Sequence, residues 1–368
     1  VDASGVASLV LVAQACGSAA SARRDAALVL ARLASPPHSA AVASSGGTQV
    51  LIGATVGSDA ELTAAAAGAL ERLVVCDEGR STILACGVGP CVQLLQDANE
   101  TVQLHALSVL HSVVADADGQ LAVGGAGGAE ALVQLIDGSF ADVRCEAIGI
   151  LCQLANQAEQ LPSLIAAGAV PPLVGQLRDG SAAAQEAAAG AVRRLSGAEG
   201  GPGATVRAFG IQPLVALLHE ASASTQAHAM YCMHNLASCA ATSRALAGEV
   251  DAIAACVHVL SVSSDDEVRA ASAATLACVA DEGSRADIVA AGGVEALLGM
   301  LERGDESGAS HSVRAICSLA EDVGSHGAIS CGLPALVSLA ACGAGASQAH
   351  AVSTVHKLST GGERNALS

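Results

Sequence analysis

The sequence predicts an all-α solenoid of about nine stacked helical repeats. Two independent spacings indicate the repeat: a glycine recurs about every 41 residues, and the last apolar residue of a predicted third helix recurs in steps of 39 to 43. A fixed period carried through a whole chain is typical of helical arrays. The glycines are Gly5, Gly46, Gly87, Gly128, Gly168, Gly210, Gly248, Gly292 and Gly332. The apolar residues are Leu33, Leu73, Val113, Leu154, Leu195, Leu236, Val279, Leu319 and Leu358.

The composition favours the same fold. Hydrophobic residues make up 52% of the chain, yet aromatic residues make up 1%, with no Trp, one Tyr and two Phe. A globular core usually relies on aromatic bulk. Layers of closely packed helices can be filled by Ala, Val and Leu instead, so the composition points to a core of that kind.

The clearest copy of the repeat is SRADIVAAGGVEALLGML, residues 284–301, followed by SHSVRAICSLA, residues 310–320. A first helix over 285–290 is predicted to end at Gly292–Gly293, where glycine turns the backbone left-handed at little cost. A second helix over 294–301 has apolar residues at helical spacing, and a third follows the polar break Gly304-Asp305-Glu306. None of the three is long enough to be stable alone, so each must bury its apolar stripe against neighbours.

The spacing predicts one continuous solenoid over residues 1–368 with incomplete ends. No first helix precedes Gly5, and the final GGERNALS resembles the start of a further repeat. The predicted repeats are 1–37, 38–79, 80–119, 120–160, 161–203, 204–242, 243–283, 284–324 and 325–368.

These copies resemble armadillo repeats. The resemblance rests on AAGAVPPLVGQL, residues 166–177, with QEAAAGAVRRLSG, residues 185–197, and on the starts Arg80-Ser-Thr-Ile83 and Arg285-Ala-Asp-Ile288. HEAT repeats are the near neighbour, but the short first helix favours the armadillo family. The resemblance implies a right-handed superhelix of helix triplets, with the third helices lining a concave groove.

Charge and cysteine content limit the classes of binding partner and the cellular compartments that we expect. The net charge is −18, which argues against nucleic acid and favours a protein partner. A basic partner steered by the acidic loops is one such expectation. No apolar run is long enough to predict membrane insertion. Thirteen cysteines without a C-x-x-C motif favour free thiols in an intracellular reducing compartment. We expect a cytoplasmic location; an organelle remains open because the N-terminus looks processed or truncated.

The resemblance also implies a binding groove. In well-known armadillo proteins an Asn on each third helix clamps an extended peptide, and a Trp four residues earlier forms a side-chain slot. Here Tyr231 with Asn235 keeps the aromatic-plus-Asn pattern, while arginines at the clamp position suit carboxylates or backbone carbonyls. His228 belongs to a repeated Gln-Ala-His-Ala pattern, interpreted as polar groove residues rather than a metal stripe. The candidate groove residues are Arg32, Arg72, Gln153, Arg193, Arg194, His228, Tyr231, Asn235, Arg314 and Lys357.

The sequence lacks G-x-S-x-G, P-loop, H-E-x-x-H and Rossmann motifs, so we expect no catalytic, cofactor or metal site. The favoured function is a non-catalytic scaffold, monomeric by itself, that acts as a subunit of or adaptor in a larger assembly. It would bind an extended segment or assembly neighbours through the groove and the solenoid ends. The alternative is a cargo- or substrate-recognition arm of the transport-receptor or ubiquitin-ligase-adaptor type. The third is an enzyme on a helical-repeat scaffold, such as a HEAT-like chromophore lyase.

Overall fold

The computed structural model describes residues 3–15, 19–138, 140–303, 306–343 and 345–366. All regular secondary structure among these residues is helical, as predicted. Close contacts divide the chain into an N-terminal unit, Val1–Leu173, and a C-terminal unit, Val174–Ser368, with the boundary inside the helix Val170–Asp179. The prediction of one continuous solenoid stays a prediction.

The N-terminal unit repeats the order first, second and third helix. Its first helices are Ser39–Ser44, Asp77–Cys86, Ala117–Gly125 and Leu161–Ala166, the last preceded by the 3-10 turn Ala158–Gln160. Its second helices are Ala3–Gln14, Gly47–Thr55, Val88–Leu94 and Gly128–Ile136. Its third helices are Ala20–Leu33, Ala60–Leu73, Glu100–Val113 and Ala141–Leu154, and each packs against the next.

The C-terminal unit follows the same order. Its first helices are Gly201–Arg207, Ala240–Ala247, Arg285–Ala290 and His326–Ser330, the last preceded by the 3-10 turn Val323–Ser325. Its second helices after Val170–Asp179 are Ile211–Glu220, Val250–Val262, Gly293–Glu302 and Leu333–Cys342. Its third helices are Ala182–Ser196, Ala223–Ser238, Asp266–Val279, Glu306–Leu319 and Gly345–Ala366, and each packs against the next.

The third helices form the cores because their buried faces combine branched aliphatic and very small residues. Ala60–Leu73 buries Leu70 and Leu73 completely, and Ala182–Ser196 buries a run of Ala and Gly around Gly190. Small side chains let neighbouring helices approach closely, so a dense core forms without aromatic bulk. Polar side chains begin several of these helices; Asp265, for example, accepts hydrogen bonds from the amides of Glu267 and Val268.

The predicted glycine turn is confirmed at Gly292–Gly293. Gly292 has φ of +80° and separates Arg285–Ala290 from Gly293–Glu302. A Cβ on Gly293 would lie 2.6 Å from Cγ2 of Ile288, so the second glycine is needed for close packing of the first helix on the second. The predicted break at Gly304 and Asp305 lies outside the described residues.

The chain end differs from the prediction. Residues 361–366 continue the helix Gly345–Ala366, instead of starting a further repeat. Gly361 and Gly362 therefore do not end the third helix, although glycine has a low helix propensity. Residues 367 and 368 lie outside the described residues.

Taken singly, no described helix is long and apolar enough to cross a membrane. Two bent helix pairs meet that test only when their members are joined: Ala240–Ala247 with Val250–Val262, and Val323–Ser330 with Leu333–Cys342.

Candidate functional site

In the N-terminal unit, the arginine at one clamp position contacts the preceding third helix. The guanidinium of Arg72 donates hydrogen bonds from Nε to Ala34 O at 3.1 Å and from Nη2 to Ala31 O at 2.9 Å. These carbonyls end the helix Ala20–Leu33, where no further turn satisfies them, and a cation is favoured there by the helix dipole. Arg72 thus joins two successive third helices, while Arg32 is exposed.

A shallow cavity of about 230 Å³ opens beside these arginines. Gly68 stands at the position of the family's aromatic residue, and a Cβ there would lie 3.1 Å from Nε2 of His105. His105 Nδ1 is 2.5 Å from Oε2 of Glu71, which fixes the orientation of the ring. The lining residues are Leu28, Ala31, Arg32, Glu61, Ala64, Ala65, Gly68, Arg72 and His105.

Gln153 is the remaining candidate of the N-terminal unit. Its Nε2 lies 3.2 Å from Nε2 of His111, and Nδ1 of that ring lies 3.4 Å from Oε2 of Glu146. Gln153 is half-buried and His111 and Glu146 are exposed, so these side chains form a polar group between two adjacent third helices.

In the C-terminal unit, four of the predicted residues meet around the only tyrosine. We call Arg193, His228, Tyr231 and Asn235 the Tyr231 cluster. The Arg193 guanidinium carbon lies 5.3 Å from the centroid of the Tyr231 ring, within cation–π range. The Tyr231 hydroxyl donates a hydrogen bond of 3.1 Å to Oε2 of Glu267, so both ends of the side chain are held. Burial, followed by the hydrogen bond to Glu267, raises the pKa of Tyr231.

Asn235 uses its amide within the protein. Its Nδ2 donates to Arg193 O at 3.1 Å and to Ser196 Oγ at 3.0 Å, at the end of the preceding third helix. Asn235, at the predicted clamp position, therefore joins two successive third helices, as Arg72 does in the N-terminal unit.

His228 lies under the arginines of the preceding third helix. Burial, followed by the charges of Arg193 and Arg194, lowers the pKa of His228, and Glu186 opposes them weakly. Its buried Nδ1 has no hydrogen-bond partner among the described residues. Arg194 donates from Nη1 to Gly190 O of its own helix at 3.0 Å. The ring is thus kept neutral in a positive environment.

Arg314 and Lys357 lie on later third helices of the same unit. Arg314 Nη2 lies 3.5 Å from Sγ of Cys278. Burial, and then the charges of His311 and Arg314, lower the pKa of His234. Lys357 Nζ donates to Cys317 O at 2.8 Å and lies 3.3 Å from Oε1 of Glu321, so it too contacts the end of the preceding third helix.

The sequence predictions did not include Phe209. Phe209 has φ of 58° and is 84% exposed, at the turn between Gly201–Arg207 and Ile211–Glu220. Gly292 takes the left-handed conformation at the matching turn of another repeat. A phenylalanine directly before Gly210, where other repeats place a glycine, was the signal in the sequence.

Charge is distributed unevenly among the helices. The third helices contain 11 of the 17 Lys and Arg residues and 11 of the 35 Asp and Glu residues. Their formal charge is therefore zero, and the whole excess of 18 negative charges lies on the other helices and the loops. The third helices as a group do not share the acidity of the rest of the chain.

The cysteines are thiols in different settings. No disulfide joins any of the twelve described cysteines, and burial raises the pKa of Cys91, Cys232 and Cys256 to about 12. Within the described ranges, no group of three or more His, Cys, Asp or Glu side chains is placed to hold a metal ion.

Comparison with known proteins gives a consistent picture. Residues 157–197 match the family model described as Armadillo/beta-catenin-like repeat. No curated protein has a significantly similar sequence. Among solved structures, an engineered protein is 30% identical with a TM-score of 0.71; the match covers 97% of this chain and 89% of that one.

Two other solved structures are similar in fold. A structure from work on a phosphorylation switch in the interaction between cadherin and beta-catenin has a TM-score of 0.81 at 16% identity, covering 97% of this chain and 69% of that one. A designed armadillo repeat protein in complex with the peptide (KR)4 has a TM-score of 0.55 at 24% identity, covering 63% of this chain and 99% of that one.

Proposed function

The chain belongs to the armadillo-repeat family, and from this premise we propose that it is a non-catalytic scaffold, a subunit of or adaptor in a larger protein assembly. The armadillo-repeat fold is typically a non-catalytic scaffold that binds peptides or proteins. The interaction of beta-catenin with cadherin and the designed complex with (KR)4 are examples among the similar structures. In this chain, the exposed face of the third helices is the proposed binding surface.

The Tyr231 cluster is the observation that supports this surface most directly. Tyr231 is half-buried, with Arg193 over its ring and Glu267 at its hydroxyl. An aromatic ring fixed in this way loses little conformational entropy when a partner packs on it, which is typical of interface hot spots. The neighbouring Arg193 and Arg194 can donate hydrogen bonds to a partner's carbonyl or carboxylate oxygens.

The similar complexes also suggest a recognition arm for an extended peptide as a second function. The designed neighbour holds a peptide of repeated composition. Here a single repeat combines an aromatic residue with Asn, at Tyr231 and Asn235, so identical slots cannot recur along the chain. The scaffold function needs only one such cluster and is the one we favour.

The proposal includes an intracellular, reducing location. The free thiols support it, since buried cysteines such as Cys232 and exposed ones such as Cys145 are both unpaired. Exposed thiols persist as thiols where the surroundings keep them reduced.

The experiment is native mass measurement of the protein isolated from its source, with co-purifying chains identified by mass spectrometry. We expect a stoichiometric complex with at least one other chain. Tyr231→Ala should weaken it about tenfold or more, as expected for a hot-spot aromatic. Phe140→Ala is the matched control, because Phe140 is also partly exposed, at 38%, but lies in the N-terminal unit. A lone chain of 35.8 kDa would contradict the subunit role, and equal effects of the two substitutions would contradict the Tyr231 surface.

A further inference from the structure

Three arginines on the third helices of the C-terminal unit have no carboxylate partner. Arg193, Arg194 and Arg314, which we call the arginine row, are all half-buried, and none lies within 4.0 Å of a carboxylate among the described residues. Among the other described arginines, Arg80 lies 2.6 Å from Asp116, whereas Arg72 bonds only backbone carbonyls and Arg32 is exposed. The arginine row is set apart by its position, because three half-buried guanidinium groups without a carboxylate lie on third helices of one unit.

The neighbouring histidines indicate that this face is positive. Burial lowers the pKa of His228 most, and the charges of Arg193 and Arg194 lower it further. At the other end of the row, His311 and Arg314 do the same to His234. Three carboxylates oppose this charge: Glu186 acts weakly on His228, while Glu267 and Asp265 act on Tyr231, and Glu267 accepts its hydrogen bond.

Several polar atoms along the row also lack partners. Nε of Arg314, Nδ1 of His228 and Nδ1 of His234 are buried and form no hydrogen bond within the described part of the chain. Buried polar atoms are normally satisfied, and each exception needs a reason. An anionic partner would accept from the remaining N–H groups of the half-buried guanidinium groups, whereas the buried atoms themselves are out of its reach.

The spacing of the row fits an extended chain. Arg193 and Arg194 lie on Ala182–Ser196, Tyr231 lies on the next third helix, and Arg314 lies two third helices further on, on Glu306–Leu319. Packed helices are about 8–10 Å apart, so the row spans about 24–30 Å. An extended peptide rises about 3.3 Å per residue and would cover this distance with about eight residues.

We infer that the arginine row binds an extended, Asp- and Glu-rich segment of another protein chain, with Tyr231 packing between its acidic ends. This rests on the proposed function and adds the chemical class of the segment. Guanidinium groups form paired hydrogen bonds to carboxylates, and the absence of internal carboxylate partners leaves this capacity available. The acidic loops can still attract a basic partner elsewhere on the chain, which stays a prediction.

The test is binding of fluorescently labelled peptides to the full chain, measured by anisotropy. Three probes of about 12 residues, long enough to span about 40 Å, contain alternating Glu-Thr, Gln-Thr or Lys-Thr. A single-stranded oligothymidine of similar length is the fourth probe. We expect the Glu-Thr peptide to bind at least about tenfold more tightly than the others.

Two double substitutions distinguish binding by the arginine row from general electrostatic attraction to the protein. Arg193→Gln with Arg314→Gln should weaken Glu-Thr binding about tenfold or more, because charge-assisted hydrogen bonds are lost. Arg207→Gln with Arg244→Gln is the matched control, since it removes the same charge from exposed first-helix positions of the same unit, and should change binding less than about twofold. Circular dichroism checks that both pairs remain folded.

The outcomes distinguish this inference from the function on which it rests. Tighter binding of the Gln-Thr or Lys-Thr peptide, lost in Tyr231→Ala, would overturn the acidic preference and leave the scaffold function standing. Equal weakening by the two arginine pairs would overturn the role of the row. Equal affinity for oligothymidine would overturn the preference for a protein segment. Failure of every probe would overturn the acidic preference, while the native-mass experiment would still decide the scaffold function.

Discussion

Three glycines of one repeat lie in different environments, two of which require glycine, so their substitutions should change stability differently. Gly292 has φ of +80°, and a Cβ there would meet only Oε2 of Glu295, at 3.9 Å. Gly293 has an ordinary backbone, but its Cβ would lie 2.7 Å from Ile288 O. Gly299 lies inside Gly293–Glu302, and a Cβ there would meet no atom within 4 Å.

The expected changes in unfolding free energy follow from these geometries. Gly292→Val forces a β-branched residue into the left-handed region, with a strain of up to about 3 kcal/mol. Loss of glycine's freedom in the unfolded chain offsets about 1 kcal/mol of this strain, leaving a net loss of about 2 kcal/mol. Gly293→Ala should cost about 1–3 kcal/mol through overpacking. Gly299→Ala should stabilise by about 0.5–1 kcal/mol, because alanine favours the helix.

The assay is urea unfolding followed by far-ultraviolet circular dichroism. Hydrogen exchange at Arg285–Ala290 supplements it, because repeat proteins can open locally. Gly299→Ala is the control for the general effect of adding a methyl group. An unchanged stability of Gly292→Val would refute the left-handed turn, and a stable Gly293→Ala would refute the close packing on Ile288.

Three further predictions concern single side chains. Because the folded state lowers the pKa of His228 below its usual value of about 6.5, the unfolded chain binds more protons between the two values. The contribution of His228 to stability is therefore fully present above about pH 6.5 and is lost on acidification. In urea titrations, His228→Gln should lose less unfolding free energy between about pH 7 and pH 5 than the unsubstituted chain. An equal loss in both proteins would contradict this. Phe209→Gly should leave stability unchanged or raise it by up to about 1 kcal/mol in the same assay, because it relieves φ of 58° and loses little burial; a clear loss would show that the ring is packed. Iodoacetamide at about pH 8, followed by peptide mass mapping, should spare the buried thiols until the protein is unfolded. The protected cysteines are Cys91, Cys232 and Cys256, and the exposed, reactive ones are Cys86, Cys145, Cys331 and Cys342.

The repeat architecture could be predicted because the same sequence pattern recurs in each repeat. Glycine turns and apolar positions are local features, and their recurrence removes the ambiguity of any single copy. The helix Arg285–Ala290 has its predicted bounds, and six third helices, including Ala60–Leu73, end at the apolar residue that the spacing marked. The last third helix, Gly345–Ala366, runs past Leu358, which the spacing had marked as its last apolar residue.

The positions of the candidate site residues were predictable, but their bonds were not. Periodicity places Arg72, Asn235 and Lys357 at equivalent positions. It cannot show that all three side chains contact the end of the preceding third helix, because that depends on the separation of two helices. The pairing of Arg193 with Tyr231 likewise joins residues 38 positions apart in sequence, on different helices.

The charge of the whole chain gives incomplete information about its partner. A net charge of −18 by itself favours a basic ligand. A ligand contacts only one face, and the third helices carry equal numbers of acidic and basic residues. On that face, Arg193, Arg194 and Arg314 lack carboxylate partners within the described ranges, and both nearby histidines have lowered pKa values. Charges at the contact are screened least, because little solvent separates them from the ligand, whereas loops more than about 10 Å away are largely screened. The ligand's charge should therefore follow the arginine row, and the acidic remainder should chiefly set its rate of approach.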